Sequence, residues 1–363
     1  MRVLAVSGSS GGHIFPALSF LDALEGKAAD LKRILLLPRN SKKYRISSGG
    51  LDIGYISIVP VGLSLQPKNL LALFKFFYGA LESLILLIRF RPDLVVGFGT
   101  ISSVPVLFFA WLLRIKTLIH EQNVLPGAAN KLLAKFADRV AVSFDKTRDY
   151  LDIDPDKIIT TGNPLRRQLK RVEKERALDY FSFSGDKFTL LVMGGSSGSH
   201  NININFLDAI SKFKDPRYLR VIHIAGSSDR DFLERGYRNF NVEAKVFSFF
   251  QEIEYAYSVS SLALCRGGAS TIAELVNFGL PAIIIPYPFA WRHQSANAGV
   301  LENAGCAFII DDAKLNGNLL KDQIEGFYRQ PQRLKDMRLA YGVFGRINAA
   351  SALADEALSL GSL

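Results

Sequence analysis

Ser261-Leu262-Ala263-Leu264-Cys265-Arg266-Gly267-Gly268-Ala269-Ser270-Thr271-Ile272-Ala273-Glu274 is the stretch that decides the fold. Leu262–Cys265 is short and apolar, as a strand covered on both faces must be, and the run from Ala269 through Phe278 is helix-like. Two glycines at the hand-over let backbone N–H groups point at an anion. The dipole of the following helix favours negative charge at the same spot. Ser270 and Thr271 add hydroxyl donors in the first turn, and Glu274 stands about one turn further on. A carboxylate does not bind phosphate, but it accepts the two hydroxyls of a ribose. Phosphate cradle and diol acceptor on one strand–helix unit describe a nucleotide site in a parallel α/β sheet.

The same pattern runs outward in both directions. Short apolar runs alternate with amphipathic segments. Strand candidates in the first half are Val3–Val6, Ile34–Leu37, Tyr55–Ile58, Leu94–Gly97, Thr117–His120 and Arg139–Val142. In the second half they are Thr189–Met193, Leu219–Ile224, Ala244–Phe247, Leu262–Leu264, Ala282–Ile285 and Ala307–Ile310. Strands separated by helical segments form parallel sheets covered by helices, and 363 residues exceed one ordinary core. The fold class is therefore α/β, with two Rossmann-like parallel-sheet domains facing a cleft. The break falls after Gly162-Asn163-Pro164, giving domains over 1–164 and 165–344. A helical tail from about Arg333 to Leu360 can return to the first domain through its last part, about 345–363. Ligands in such folds sit outside the carboxyl ends of the strands. Three glycine-rich turns fall there: Ser7-Gly8-Ser9-Ser10-Gly11-Gly12-His13, Gly194-Gly195-Ser196-Ser197-Gly198 and Arg266-Gly267-Gly268-Ala269. One alone is weak, since glycine is common where strands turn into helices; three at equivalent places in two sheets are specific.

Composition narrows the partners. A hydrophobic content of 48% excludes a disordered chain. Cys265 and Cys306 both lie in apolar runs, too few for a disulfide framework, and read as buried thiols of a reducing compartment. Met1–Val6 leads straight into a strand and a glycine loop, without signal-peptide architecture. No apolar run of about 20 residues is free of charge, so no transmembrane helix is expected. The net charge of +10 is uneven: residues 1–164 hold 20 Lys+Arg against 13 Asp+Glu, residues 165–363 hold 24 against 21. The first half is the one that faces a polyanion or an anionic membrane. Zinc-finger spacing, an RNP-like aromatic pattern and dense Lys/Arg blocks are all missing, so nucleic acid is not expected.

Candidate site residues cluster at strand ends. His13 follows the first glycine loop at a helix start, where the dipole favours the neutral imidazole of a general base; a structural histidine capping its own turn is the other reading. His120-Glu121-Gln122-Asn123 ends an apolar strand, either to bind sugar hydroxyls or to hold the turn. Arg166, after Asn163-Pro164-Leu165, reaches a phosphate or a sugar, or serves a hinge. In Tyr287-Pro288-Phe289-Ala290-Trp291-Arg292-His293-Gln294-Ser295-Ala296-Asn297, Gln294 and Asn297 suit sugar hydroxyls, or the segment merely caps a helix. His200 and His223 read as structural, and no Cys/His/carboxylate cluster has metal-ligand spacing.

One segment stands apart. Leu63–Tyr78, continuing through Leu84–Arg91, is apolar nearly all round, with Lys68, Lys75, Arg89 and Arg91 against a single acid, Glu82. Val106–Arg114 resembles it. Buried helices covering a sheet explain part of this; Phe, Tyr and Trp beside Lys and Arg also suit a lipid interface.

In this order the motifs resemble the MurG family, the inverting N-acetylglucosaminyltransferases of glycosyltransferase family 28, which have the GT-B fold. The matching residues are Ser10-Gly11-Gly12-His13 with Phe15-Pro16, His120–Asn123, Gly162-Asn163-Pro164 with Arg166, Gly194-Gly195-Ser196, Arg266–Glu274, and Gln294 with Asn297. The likeness covers almost the full length. It implies transfer of N-acetylglucosamine from UDP-GlcNAc to the C4 hydroxyl of the muramoyl sugar of lipid I (undecaprenyl-pyrophosphoryl-MurNAc-pentapeptide), giving lipid II in peptidoglycan synthesis. By the same resemblance Ala269, Ser270 and Thr271 hold phosphate, Glu274 the ribose, and the backbone near Phe250 the uracil. Ser196 and Arg166 assist the diphosphate, and Gln294 meets the donor sugar. Ser10, Gly11, Gly12 and Asn123 meet the acceptor. His13 is the favoured base, with Glu121 the other candidate. No cofactor is implied, UDP-GlcNAc being a substrate, and a divalent cation would be an accessory without a visible site. The implied setting is peripheral, on the cytoplasmic face of the plasma membrane, with an anionic membrane surface and cell-wall and division proteins as partners. The chain departs from the family at Ser10, where a threonine is usual, at Ser7-Gly8, at Ser197, where an amide is lost, and at His293 in a loop without its usual acid.

Three rivals are set against this. A related enzyme can glycosylate diacylglycerol or another lipid. An NAD(P)-dependent oxidoreductase would suit the first glycine loop and Arg39, but no Tyr-x-x-x-Lys pair occurs. A non-catalytic membrane scaffold has no use for three anion turns.

Overall fold

The computed structural model describes residues 1–28, 30–43, 50–58, 67–195, 198–289, 292–345 and 348–361, and at 42–43 and 67–73 the backbone alone. The chain divides into two compact units, Met1–Arg166 with Ile347–Leu363, and Arg167–Arg346. The first contains β1 (Arg2–Val6), α1 (Gly11–Glu25), β2 (Lys32–Pro38), β3 (Asp52–Ile56), α2 (Pro67–Phe90), β4 (Leu94–Gly97), α3 (Ser103–Leu112), β5 (Lys116–Glu121), α4 (Ala128–Ala134), β6 (Arg139–Val142) and β7 (Ile158–Thr160). The second contains α5 (Lys174–Tyr180), β8 (Phe188–Met193), α6 (His200–Ser211), β9 (Leu219–Ile224), α7 (Arg230–Asn239), β10 (Glu243–Phe247) and α8 (Ile253–Val259). It continues with β11 (Leu262–Cys265), α9 (Ala269–Phe278), β12 (Ala282–Ile284), α10 (His293–Asn303), β13 (Ala307–Ile309), α11 (Gly317–Arg329) and α12 (Pro331–Ala340). The last helix, α13 (Ala349–Gly361), belongs to the first unit.

Both sheets are parallel and share one winding. Their orders are β3-β2-β1-β4-β5-β6-β7 and β10-β9-β8-β11-β12-β13. In each, the chain leaves the first strand on one side and returns on the other, between β1 and β4 and between β8 and β11. That reversal separates the loops at the strand ends and opens a crevice there. The strands read as continuous apolar runs because helices cover both faces: Val3–Val6 and Leu262–Cys265 are wholly or almost wholly buried. One core fills the second unit, and two fill the faces of the first sheet.

The strand at Tyr55 lies earlier than its sequence suggests, over Asp52–Ile56. The edge strand β7 escapes the apolar pattern because it is three residues long and pairs only with β6. Cys265 and Cys306 are buried free thiols, and burial pushes them up to about 12 and about 11.

The tail turns back through α13, which lies on α1. Leu353, Ala354, Ala357 and Leu360 share a core with Phe20, Leu21 and Leu24. Glu356 meets Arg139 at 3.1 Å, and Asp355 meets Lys27 at 2.5 Å.

α2 is two-faced rather than fully buried. Ser83 and Leu87 face the core, while Phe74 and Phe77 are 69% and 64% exposed in line with Tyr78, Leu81, Ile85 and Ile88. α3 packs on α2 and exposes Phe108, Trp111 and Leu112. Glu82 is spent on the fold: it binds Arg39 at 2.6 Å and accepts from the Ser57 N–H at 2.7 Å. No helix among the described residues is long and apolar enough to cross a membrane.

Candidate active site

In the second unit the stretch Leu262–Glu274 builds a candidate anion site. β11 delivers the chain to Gly267-Gly268 at the switch point, and α9 starts with Gly268 as its N-cap, without a side-chain cap. The first amides of α9 therefore face outward unsatisfied by a side chain. Ser270 Oγ is buried beside them with no hydrogen-bond partner. A buried hydroxyl left unpaired costs about 1–3 kcal/mol, and a bound oxyanion removes that cost. Glu274 is half-buried four residues on, and Tyr257 donates its hydroxyl to Oε2 at 2.7 Å.

The neighbouring side chains divide into ligand-facing and structural. Gly267 has no room for a Cβ, which would run into the backbone of Gln294. Gln294 Oε1 accepts from the N–H groups of Gly267 and Tyr287 at 3.1 and 2.9 Å, so only its Nε2 is left for a sugar hydroxyl. Asn297 is fully buried and donates to Gly267 O at 3.2 Å. It holds the turn, which replaces the sugar contact expected of it. Arg266 is also a post: its guanidinium binds Asp312 at 2.5 Å, Ser199 Oγ at 2.7 Å and Ile285 O at 3.1 Å, and lies over the Tyr287 ring. The side chain of Phe250 is core, stacked on Phe247 with ring centroids 4.4 Å apart, so only its main chain is free to present itself to a base. Ser196 and Ser197 lie outside the described residues.

His200 and His223 are structural. His223 is fully buried between Tyr237 OH at 2.7 Å and Asn203 Oδ1 at 2.9 Å. Burial lowers it to about 3. His200 pairs with Asp229 at 3.0 Å. Among the described residues no group of three or more His, Cys, Asp or Glu is placed to hold a metal ion.

In the first unit Ser10 is the N-cap of α1, again without a side-chain cap, and Gly11, Gly12 and His13 form the first turn. Ser10 and Gly12 are exposed. His13 is largely buried, and its Nδ1 has no hydrogen-bond partner. Its pKa is lowered, first of all by burial, with Glu121, the Phe98 carbonyl and Gln122 working the other way. Burial, rather than the helix dipole alone, keeps the ring neutral.

Glu121, the other candidate base, is engaged by its own loop. It is buried at the end of β5, and its two oxygens accept from Asn123 N at 2.8 Å, Asn123 Nδ2 at 3.2 Å, Gly127 N at 3.1 Å and Asn130 Nδ2 at 2.7 Å. Four donors on one carboxylate hold the loop from Asn123 to Asn130. His120 and Gln122 are buried beside it; His120 Nε2 lies 2.9 Å from Gly162 O, and burial lowers its pKa to about 4. Of this group Asn123 alone is partly open. Arg166 closes the unit with its guanidinium 5.2 Å from the centroid of the Phe15 ring on α1.

One element was missed from sequence. Gly97-Phe98-Gly99-Thr100 follows β4, the other strand of the switch point, and its G-x-G spacing was the available signal. Gly99 and Thr100 both have positive φ, 77° and 72°. A non-glycine residue held there is strained, and such strain gathers at working loops. A side chain on Gly8 would collide with Thr100, and Ser102 Oγ donates to Ser7 O at 3.1 Å, so the two loops interlock.

The comparisons with known proteins agree with this arrangement. A family model for the glycosyltransferase family 28 N-terminal domain matches residues 3–142, and one for the C-terminal domain matches 189–353. A UDP-N-acetylglucosamine–N-acetylmuramyl-(pentapeptide) pyrophosphoryl-undecaprenol N-acetylglucosamine transferase of Thermodesulfovibrio yellowstonii is 35% identical over 99% of both chains. One of the same name from Geobacter sulfurreducens is 36% identical over 98% of both. Among solved structures, the crystal structure of Acinetobacter baumannii MurG superposes with a TM-score of 0.78 at 24% identity over 99% of each chain, a likeness of fold. The chain is a two-domain GT-B protein and belongs to glycosyltransferase family 28, with the MurG N-acetylglucosaminyltransferases as its relatives.

Proposed function

We propose that this enzyme moves N-acetylglucosamine from UDP-GlcNAc to the C4 hydroxyl of the N-acetylmuramyl sugar on pyrophosphoryl-undecaprenol, with inversion at the anomeric carbon. One observation carries the donor side: the uncapped start of α9, with the orphan hydroxyl of Ser270, stands one turn from the Glu274 carboxylate. Diphosphate on the amides and ribose on the carboxylate match a nucleoside diphosphate sugar, and Gln294 Nε2 is left to meet the sugar.

On the acceptor side, Ser10, Gly11, Gly12 and Asn123 receive the sugar and pyrophosphate, and His13 acts as general base. The C4 oxygen attacks the anomeric carbon as His13 takes its proton. The bond from that carbon to the diphosphate oxygen breaks, and the electron pair leaves with UDP, whose charge the α9 amides stabilise. Glu121 positions Asn123 and its loop.

The exposed stripe of α2 and α3 supports a peripheral seat on an anionic membrane, where a polyprenyl-linked acceptor resides. Lys75, Arg89, Arg91, Arg114, Lys131 and Lys135, on or just after α2, α3 and α4, are exposed and suit acidic headgroups. The test is direct: purified protein with radiolabelled UDP-GlcNAc and either lipid I or diacylglycerol. Label is expected on lipid I alone. Transfer to diacylglycerol but not to lipid I would overturn the assignment of the acceptor.

A further inference from the structure

We infer that Gln122 is the positioning residue of the base: its carboxamide oxygen receives the Nδ1–H of His13, which reserves the Nε2 lone pair for the acceptor hydroxyl. The inference rests on the reading of His13 as base, and it starts from two unpaired atoms. His13 Nδ1 and Gln122 Oε1 are both buried without a hydrogen-bond partner. They belong to side chains that converge on one point. A Cβ on Gly99 would have Asn130 Nδ2 and His13 Cε1 at 3.5 Å and Gln122 Oε1 at 3.6 Å. The glycine leaves that space to the three side chains.

The direction of the amide is set by its other end. Gln122 Nε2 donates to Phe98 O at 3.3 Å, so Oε1 is the end turned to the ring. The groups that act on the His13 ring here are the Phe98 carbonyl and the Gln122 side chain, whose Oε1 is the end beside the ring. Both oxygens are acceptors only. The tautomer with its proton on Nε2 would set a lone pair against two oxygens in a buried site. The tautomer with its proton on Nδ1 sets a donor there. Neither contact has full hydrogen-bond geometry, and catalytic hydrogen bonds commonly tighten only with substrate in place.

The amide also explains why a carboxylate does not stand at 122. A second anion beside Glu121 would stabilise the imidazolium, and a protonated ring cannot accept the C4 hydroxyl proton. A neutral acceptor chooses the tautomer without adding charge. The ionisable groups around the ring are Glu121, whose charge acts on His13, and His120, whose own protonation a charge on His13 opposes.

The experiment is a long-range nitrogen–proton correlation spectrum of the full-length protein labelled with 15N-histidine, on wild type and on Gln122→Leu and Gln122→Glu. In wild type His13 is expected neutral at pH 7.5 with its proton on Nδ1. Gln122→Leu is expected to mix the tautomers and to lower kcat about tenfold, a share of the roughly 10²–10⁴-fold that a general base supplies, with donor Kd unchanged. Gln122→Glu is expected to restore the Nδ1–H tautomer and to move the acid limb of the kcat profile upward by about one pH unit. A wild-type His13 protonated on Nε2 overturns the proposal, and so does a Gln122→Leu protein with the wild-type tautomer and kcat. Because the wild-type spectrum decides the first point, a variant that fails to fold does not protect the proposal. His13→Ala separates the two readings: wild-type kcat in that variant overturns the base assignment, while the spectrum still reports on the contact with Gln122.

Discussion

Ser270 and Glu274 are four residues apart on α9, so they share a face, one at the helix start and the other a turn along. In the proposed function that spacing serves the phosphate and the ribose of one nucleotide. Glu274→Ala is expected to weaken UDP-GlcNAc binding roughly 10- to 100-fold, since hydrogen bonds to a charged group contribute about 1.5–3 kcal/mol. Calorimetry gives the donor Kd; an unchanged value removes the ribose role, and the KM for lipid I is expected to stay within about twofold of wild type. The residues around these two show what residue type alone conveys. The strand–turn–helix unit that carries Ser270 and Glu274 was legible because its signals are local. Arg266 and Asn297 were legible only as polar residues near a turn. Their partners, Asp312 and Ser199 for the one and Gly267 for the other, come from distant parts of the chain. The same holds for Glu121. A carboxylate at a strand end suggests a base, and only the folded loop shows that four donors already occupy it.

At the scale of the element, α2 carries an apolar stripe at Phe74, Phe77, Tyr78, Leu81, Ile85 and Ile88, a helical spacing that puts them on one face. α3 adds Phe108 and Trp111. A soluble surface rarely exposes so many contiguous apolar side chains without a partner. Phe74→Ser, Phe77→Ser and Trp111→Ser combined are expected to cut co-sedimentation with anionic vesicles at least about tenfold, because inserting each aromatic is worth on the order of 1 kcal/mol or more. The melting temperature is expected to fall only slightly, since Phe74 and Phe77 are mostly exposed and Trp111 rests on Phe136 at the surface; undiminished sedimentation of the folded variant removes the lipid role. Phe76 is left in place because it packs against the core of the first unit. Composition alone made both α2 and α3 ambiguous between buried and lipid-facing helices. The contrast between Leu87, 1% exposed, and Ile88, 54% exposed, settles which side meets the sheet.

For the molecule as a whole, each unit keeps a neutral histidine in its interior, His120 in the first and His223 in the second. His120 is lowered to about 4 and His223 to about 3, in both cases first of all by burial. Their unfolded counterparts titrate near 6.5, so between that value and the folded values the unfolded chain binds more protons. Stability is complete above about pH 6.5 and is lost as the pH falls below it, by up to about 1.4 kcal/mol per pH unit for each group. The melting temperature is therefore expected to fall steadily from pH 6.5 to pH 4.5 beyond the trend of a His223→Gln variant, whose amide keeps polar partners for Tyr237 and Asn203 without a proton to gain. Parallel curves for the two proteins, by scanning calorimetry, remove His223 as a source of acid lability.

The amino-acid sequence by itself determined the two α/β units, twelve of the strands and the glycine turn at the start of α9, because period, glycine placement and helix-start chemistry act over a few neighbouring residues. Tertiary structure decided which polar residues are held by the fold. It made struts of Arg266, Asn297 and Glu121 and left Ser270 Oγ and His13 Nδ1 buried and unpaired. It also brought the unremarked Gly99-Thr100 turn against Gly8 and sent α13 back onto α1. The physical reason is the range of the forces: backbone preference is spent within a turn of chain, whereas a hydrogen bond is satisfied by whichever group the packing brings within about 3 Å.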